Sequence, residues 1–359
     1  MAASASPHLY SPLLSHKTHR LVPFHLPVPH IFTRQCHRCG VSAPFSRQNA
    51  NHLRKVQFRP PMAMAEAPSN REPMVPPYNV LITGSTKGIG HALAKEFLKA
   101  GDNVLICSRS AERMESAVQV LRDEFGEHRV WGTKCDVSKG QDVKNLVAFA
   151  QEKMKHIDIW INNAGSNAYS YKPLAEASDD DLLEVVSTNT LGLMLCCREA
   201  INMMLKQPRG GHIFNMDGAG SDGRPTPRFA AYGATKRSVV HLTKSLQAEL
   251  QMQDLKNVLV HNLSPGMVTT DLLMSGATTK QAKFFINILA EPPEVVAEYL
   301  VPSIRSTLSN GSQKPTYIRF LTGIKAYTQI FSENCFWSTK KSLFARRLKG
   351  INVVFRPIL

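Results

Sequence analysis

Thr83-Gly84-Ser85-Thr86-Lys87-Gly88-Ile89-Gly90 is the stretch on which the reading of this chain turns. It follows directly on the apolar run Asn79–Thr83, which reads as a strand, and leads into a helical pattern over Ile89–Lys99. The glycines stand at 84, 88 and 90, in a GxxxGxG spacing rather than GxGxxG. Glycine permits a tight turn and lets the backbone approach a pyrophosphate closely, and the helix that follows presents its positive end to that anion. A glycine-rich turn alone says little. Set between a strand and the helix that opens a βαβ unit, it predicts a dinucleotide site carried by Gly84, Ser85, Lys87, Gly88, Ile89 and Gly90.

Outward from this loop, short β-rich runs alternate with longer helical patterns. Val104–Cys107, Arg129–Lys134, Ile157–Asn162, His212–Met216 and Asn257–Leu263 read as strands. Between them, helices are predicted over Ala111–Phe125, near 139–155, from about Asp179 to Lys206, and over Phe229–Met252. Asp179-Asp180-Asp181 suits a helix start, where acids complement the dipole. The alternation predicts an α/β fold: one doubly wound Rossmann domain over about 75–325, with a parallel sheet covered on both faces. There is no internal repeat of solenoid period.

The end of the second strand bears on which dinucleotide is bound. An NAD enzyme usually carries an acid there for the ribose 2′-hydroxyl. Here the run is Cys107-Ser108-Arg109. Arg109 can pair bidentately with a 2′-phosphate and Lys87 can add a second charge, so NADPH is expected, with Ser108 beside it.

Tyr232-Gly233-Ala234-Thr235-Lys236 lies on a helical pattern, which puts Tyr232 and Lys236 on one face one turn apart. A phenol has a pKa of about 10, and a neighbouring ammonium favours the phenolate. Taken with the glycine loop, Asn162-Asn163-Ala164-Gly165 after the fourth strand, Asn189 in the long helix, and Pro265-Gly266 after the sixth strand, the chain resembles the short-chain dehydrogenase/reductase family over about 250 residues. The resemblance implies that Tyr232 donates the proton to a carbonyl oxygen and that Lys236 holds the ribose hydroxyls and acidifies Tyr232. It implies that Asn189 fixes a water linking Lys236 to solvent. It further implies that Asp136 and Val137 meet the adenine, that Asn163, Ala164 and Gly165 line the adenine-ribose side, and that Val268 and Thr270, after Pro265-Gly266, bind the carboxamide.

In one place the sequence departs from that family. The family's serine stands about 13 residues before the tyrosine, where this chain has Ala219. The loop reads Asn215-Met216-Asp217-Gly218-Ala219-Gly220-Ser221, and Ser221 is 11 before Tyr232. Ser221 turned inward is the expected carbonyl-polarising group, with Asp217 or a backbone N–H as the alternative.

Within the family, TGSTKGIG, MDGAGSDG, YGATK and SPGMVTTDLL look like the plant chlorophyll b reductases. That implies reduction of the chlorophyll b formyl group to 7-hydroxymethyl chlorophyll a during chlorophyll breakdown and degradation of light-harvesting complexes. It implies work on the stromal side of the thylakoid membrane surface, beside a membrane-spanning paralogue. Residues 267–291, with Met267, Leu272, Leu273, Met274, Phe284, Phe285, Ile286, Ile288 and Leu289, are expected to form an apolar flap suited to a porphyrin-like ring; part of this run could instead be the buried face of a packing helix. Alternatives are a plastid reductase of another carbonyl, such as a 3-oxoacyl thioester, and a weakly active NADPH-binding partner subunit. By analogy with the family the chain is expected to be a homo- or hetero-oligomer.

Composition sets the remaining bounds. The formal charge of +15 comes from Lys+Arg 43 against Asp+Glu 28, but it sits at the ends. Residues 1–65 hold eight Lys/Arg and no acid, residues 332–359 hold six basics and one acid, and 66–331 is close to neutral at +2. A nucleic-acid binder is therefore not read from the overall charge. A basic, hydroxylated, acid-free N-terminus has the composition of a chloroplast transit peptide, assigned to 1–60 and expected to be disordered. The tail 332–359 is basic with interleaved aromatics; it suits an anionic membrane surface, and equally a segment that never folds. No apolar run reaches the roughly 20 residues of a spanning helix. Cys36-His37-Arg38-Cys39 lacks a second ligand pair, the histidines show no metal spacing, and no metal is expected. Cys107, Cys135, Cys196 and Cys197 read as core thiols, and Trp131 and Trp160 as core aromatics.

Overall fold

In the computed structural model the chain runs β1 (Asn79–Thr83), α1 (Gly88–Lys99), β2 (Asn103–Ser108), α2 (Ala111–Phe125), β3 (Val130–Lys134), α3 (Gly140–Met154), β4 (Ile159–Asn162), α4 (Asp179–Val186), α5 (Leu193–Met204), β5 (Gly211–Met216), α6 (Ala230–Met252), β6 (Val258–Ser264), β7 (Met267–Val268), α7 (Asp271–Met274), α8 (Lys280–Leu289), β8 (Ala290–Glu291), α9 (Pro293–Ser309) and β9 (Tyr317–Arg319). The structure describes residues 72–168, 172–274, 280–309 and 314–322, with Thr328, and only the backbone of 280–283 and 285. The segment 1–60 expected to be a transit peptide, Cys36–Cys39, the side chain of Phe285 and the tail 332–359 lie outside the described residues.

Seven strands form one sheet in the order β3-β2-β1-β4-β5-β6-β9, every neighbouring pair parallel. Each strand feeds alternate side chains to opposite faces. Val80, Ile82, Val104, Ile106, Ile159 and Ile161 pack with α1, α2 and α9. Leu81, Leu105, Cys107, Trp160 and Ile213 pack with α3, α5 and α6. Burial on both faces is why these strands read as unbroken apolar runs. Among the described residues Cys107, Cys135, Cys196 and Cys197 are buried and free. Trp160 is fully buried, whereas Trp131, on the edge strand β3, is only half-buried.

Helix starts follow local chemistry. Ser110 accepts from the Arg113 N–H to cap α2, and Ser178 accepts from the Asp181 N–H to cap α4, whose first turn holds Asp179, Asp180 and Asp181. The helix expected without a break from Asp179 to Lys206 carries a π-helical turn over Ser187–Gly192 between α4 and α5. The widened turn buries Thr188, Asn189 and Gly192 together. Gly192 is required there: a Cβ would come within 2.9 Å of Val137.

The C-terminal part was less legible in the sequence. Helix α9 and strand β9 complete the domain, β9 pairing with β6 through Asn262–Tyr317, Leu263–Ile318 and Ser264–Arg319.

Candidate active site

Strand order reverses between β1 and β4, and in an open α/β sheet ligands bind at the carboxyl ends of the strands flanking that point. A cleft of about 1090 Å³ opens there. Its walls come from the glycine loop, the ends of β2, β4 and β5, the start of α6, and the segment 265–273. Gly84 holds φ +62°, and a Cβ on it would lie 2.8 Å from the Ala164 Cα, so the glycine loop sits directly against the turn after β4. The Asn163 amide donates to Thr83 O at 3.0 Å and Gly84 O at 2.9 Å, stitching the two turns. No side chain caps the start of α1. These bare N–H groups beside a loop without side-chain bulk fit the pyrophosphate of a dinucleotide. Held there, Gly84, Lys87, Gly88, Ile89 and Gly90 would cradle the phosphates, and Ala164, Gly165, Pro265, Gly266, Val268 and Thr270 would border the rest, since all of them line the cleft.

Ser85 and Asp136 stand off the cleft wall. The Ser85 hydroxyl donates to Ile82 O at 2.6 Å and accepts from Cys107 N–H at 3.1 Å, tying the loop to β2. The Asp136 carboxylate turns onto Ser138, accepting from its hydroxyl at 2.7 Å, and leaves Cys135 and Val137 to line the cleft.

Three cations line the cleft: Lys87, Arg109 and Arg113. Lys87 pairs with Asp271 of α7 at 2.7 Å, and this partner holds the Asp271 carboxyl below its usual range. Arg109 donates through both terminal nitrogens to one oxygen of Glu184, each at 3.2 Å. Ser108 also lines the cleft. Arg113, in the first turn of α2 after the Ser110 cap, was missed in the sequence.

Tyr232 and Lys236 sit on the cleft-facing side of α6. The Lys236 ammonium lies 5.6 Å from the Tyr232 ring centroid and donates to Met216 O at 3.2 Å. Burial pushes Lys236 down to about 8. The phenol does not follow the sequence expectation of acidification: burial pushes Tyr232 above its ordinary 10. A raised value keeps the phenol protonated, the form a proton donor needs.

Asn189 is buried behind the wall. Its Oδ1 accepts from Ser166 N–H at 2.8 Å, and its amide donates to Ser166 O at 2.9 Å and to Thr235 Oγ1 at 3.1 Å. It thereby ties the turn after β4 to α6 one residue before Lys236. A Cβ on Gly165 would lie 3.5 Å from Asn189 Oδ1 and 3.8 Å from Lys236 Nζ, so this glycine sits beside both.

Ser221 is buried, but it does not line the cleft; its hydroxyl donates to Asp217 Oδ2 at 3.1 Å. The residue that abuts the phenol is Gly218, where a Cβ would stand 2.5 Å from the Tyr232 hydroxyl. Counting back from Tyr232 missed this, because the loop spacing differs from the family pattern. Asp217, Gly218 and Ala219 all line the cleft.

The remaining wall is apolar: Met216, Phe229, Met267, Leu272, Leu273 and Ile286. Of the expected flap, Met267, Leu272, Leu273 and Ile286 face the cleft, whereas Met274 and Phe284 do not line it. Phe229, read only as a helix start, was missed as a wall residue.

Comparison with known proteins agrees with this geometry. The profile of the short chain dehydrogenase family matches residues 78–281. Chlorophyll(ide) b reductase NOL, chloroplastic, of Arabidopsis thaliana is 82% identical over 268 residues, 75% of this chain and 77% of that protein. Probable chlorophyll(ide) b reductase NYC1, chloroplastic, of Oryza sativa subsp. japonica is 46% identical over 250 residues, 66% of this chain and 49% of the longer relative. Among solved structures, a variant of actinorhodin polyketide ketoreductase with NADPH superposes with a TM-score of 0.60 at 25% identity, covering 71% of this chain and 99% of that one.

Proposed function

The chain belongs to the short chain dehydrogenase family, and we propose that on this framework it reduces the formyl group of chlorophyll(ide) b to a hydroxymethyl group with NADPH. The observation that carries this reading is 82% identity to chlorophyll(ide) b reductase NOL across the length of the domain. The apolar wall of Phe229, Met267, Leu272, Leu273 and Ile286 suits a large, flat, apolar macrocycle.

When bound, the reduced nicotinamide supplies the hydride that the formyl carbon receives. Tyr232, protonated at neutral pH, gives its proton to the formyl oxygen. Lys236 holds the ribose hydroxyls and sits close enough to stabilise the phenolate left behind. Asn189 locks the turn after β4 against α6, so the two catalytic side chains keep their spacing. Arg109, Arg113 and Lys87 favour the 2′-phosphate of NADPH, and no acid stands at the end of β2 to favour NADH.

The protein acts in the chloroplast, on the stromal face of the thylakoid, on pigment released from light-harvesting complexes. The chloroplastic names of its relatives support this address. Among the described residues no helix is long and apolar enough to cross a membrane. It works as a peripheral protein, in homo- or hetero-oligomers, beside a membrane-spanning reductase related to NYC1.

The test is purified full-length protein with NADPH and chlorophyll b, the pigments separated by chromatography. Wild type yields 7-hydroxymethyl chlorophyll a, and Tyr232→Phe does not. Wild type that binds NADPH yet leaves chlorophyll b unchanged would overturn the reading.

A further inference from the structure

Asp217 is a buried carboxyl with one oxygen saturated and the other bare. It follows β5, is 3% exposed, and its N–H donates to Leu263 O at 2.8 Å, which fixes the backbone between β5 and β6. Oδ2 accepts from the Ser221 hydroxyl at 3.1 Å and from the hydroxyl of Tyr317, which β9 brings across from the sheet edge. Oδ1 is buried and has no hydrogen-bond partner among the described residues. Asp217 contributes to the cleft wall, next to Gly218, whose missing Cβ would stand 2.5 Å from the Tyr232 hydroxyl, so the buried carboxyl lies just behind the position the phenol faces.

A buried carboxylate oxygen without a donor carries a desolvation cost that nothing offsets. Protonation removes that cost. Because Oδ2 is already an acceptor for two hydroxyls, the proton belongs on Oδ1, which turns the bare oxygen into a donor. A buried donor in turn needs an acceptor. The group that the reaction brings to this wall is a carbonyl oxygen, which gains negative charge as its carbon is reduced. Where a short-chain dehydrogenase would be expected to offer a serine hydroxyl, this chain has Gly218, with no side chain to donate.

We propose that Asp217, as the neutral acid, donates a hydrogen bond from Oδ1 to the formyl oxygen of the substrate, alongside the Tyr232 phenol. The assignment rests on the reductase reading above and adds a catalytic residue to it. Asp217 keeps its proton throughout. The formyl carbon gains the hydride, the oxygen takes the proton of Tyr232, and the two-electron reduction balances without further reactants. The groups facing Asp217 are Tyr232 and Lys236 from α6, Ser221 from its own loop, Ser264 from β6, and Tyr317 from β9 with the Arg319 guanidinium 3.8 Å from its ring centroid. Burial pushes the Asp217 carboxyl above its ordinary range, more than its hydrogen bonds and Lys236 pull it down, in keeping with the neutral form.

The experiment compares wild type, Asp217→Asn and Asp217→Ala in the full chain. It measures kcat and KM for NADPH and chlorophyllide b from mildly acid to alkaline pH. Asp217→Ala is expected to lose about 100-fold in kcat with little change in KM for NADPH, the usual cost of removing one oxyanion donor. Asp217→Asn retains a neutral donor on the same frame and is expected to recover most of that loss. It also holds its activity to higher pH than wild type, whose acid must stay protonated to donate. Asp217→Asn as inactive as Asp217→Ala, while both bind NADPH, would overturn the proposal, as would Asp217→Ala within about threefold of wild type. If Asp217→Ala does not fold, the pH profiles of wild type and Asp217→Asn decide alone, and coincident alkaline limbs refute it. An inactive wild type would instead sink the reductase reading, so the two failures are distinguishable.

Discussion

Replacing Arg109 by Asp should invert the cofactor preference. Arg109 reaches the cleft from the end of β2, and its guanidinium already makes two N–H contacts of 3.2 Å to a single oxygen of Glu184. It is therefore oriented to grip an anion, and a 2′-phosphate would compete with Glu184 for it. A hydrogen bond to a charged group contributes about 1.5–3 kcal/mol, and exposure of the Arg109 side chain places its contribution toward the low end. At 1.4 kcal/mol per decade, Arg109→Asp should lower kcat/KM for NADPH roughly 10- to 100-fold, with NADH unchanged or slightly better. Glu184→Gln removes the competitor; exposed ion pairs are worth about 0.2–1 kcal/mol, so NADPH should bind a few-fold tighter. The assay is initial-rate reduction of chlorophyllide b with each dinucleotide at fixed ionic strength, because exposed charges are screened by salt. An unchanged NADPH/NADH ratio in Arg109→Asp would remove the physical basis for NADPH.

Three further outcomes follow from the same structure. His212 and His261 are buried, 3.0 Å apart, and burial pushes His212 down to about 4 from its ordinary 6.5, with His261 moved the same way. The unfolded chain takes up protons that the native state refuses, so stability is full above about pH 6.5 and falls as pH drops toward 4, by roughly 3 kcal/mol for His212 alone; equal denaturant midpoints at about pH 7 and pH 5 would contradict this. Gly84→Ala places a Cβ 2.8 Å from Ala164 Cα at a φ of +62°, and should cost about 2–4 kcal/mol and weaken NADPH binding at least 10-fold, read by thermal melts and fluorescence titration. Asp102 is fully buried, accepts from Tyr78 N–H at 2.9 Å and pairs with Arg305 of α9, so Asp102→Ala should destabilise by about 3–5 kcal/mol; a loss under 1 kcal/mol in chemical denaturation would show that the pair is not needed.

The fold was legible because its signals are local. Strand runs such as Val104–Cys107 are apolar on both faces, and the triple aspartate Asp179-Asp180-Asp181 marks a helix start that the structure keeps. The one-turn spacing of Tyr232 and Lys236 needs only helical geometry, and the structure puts both on the cleft wall. What depends on distant contacts was not legible. The π turn at Asn189 is set by packing of Gly192 against Val137, 55 positions away in sequence. The upward direction of the Tyr232 shift comes from burial in the folded cleft, which spacing does not show. Ser221 was singled out by counting residues, but a loop of different length breaks such a count, and only the close approach of Gly218 to Tyr232 shows which position faces the phenol. Arg113 and Phe229 lay in plain view but had no motif to mark them.

Strand β9 has three residues, and with them it does more than extend the sheet. Tyr317 delivers its hydroxyl to Asp217 from beyond residue 281, where the family match ends. The ribosome therefore finishes the glycine hairpin and the tyrosine–lysine pair well before it makes the residue that sets the neighbouring acid. A chain cut short anywhere in that interval would carry the recognisable motifs and still lack the finished chemistry. On the role proposed for Asp217, competence to reduce therefore requires the chain to have been made through β9.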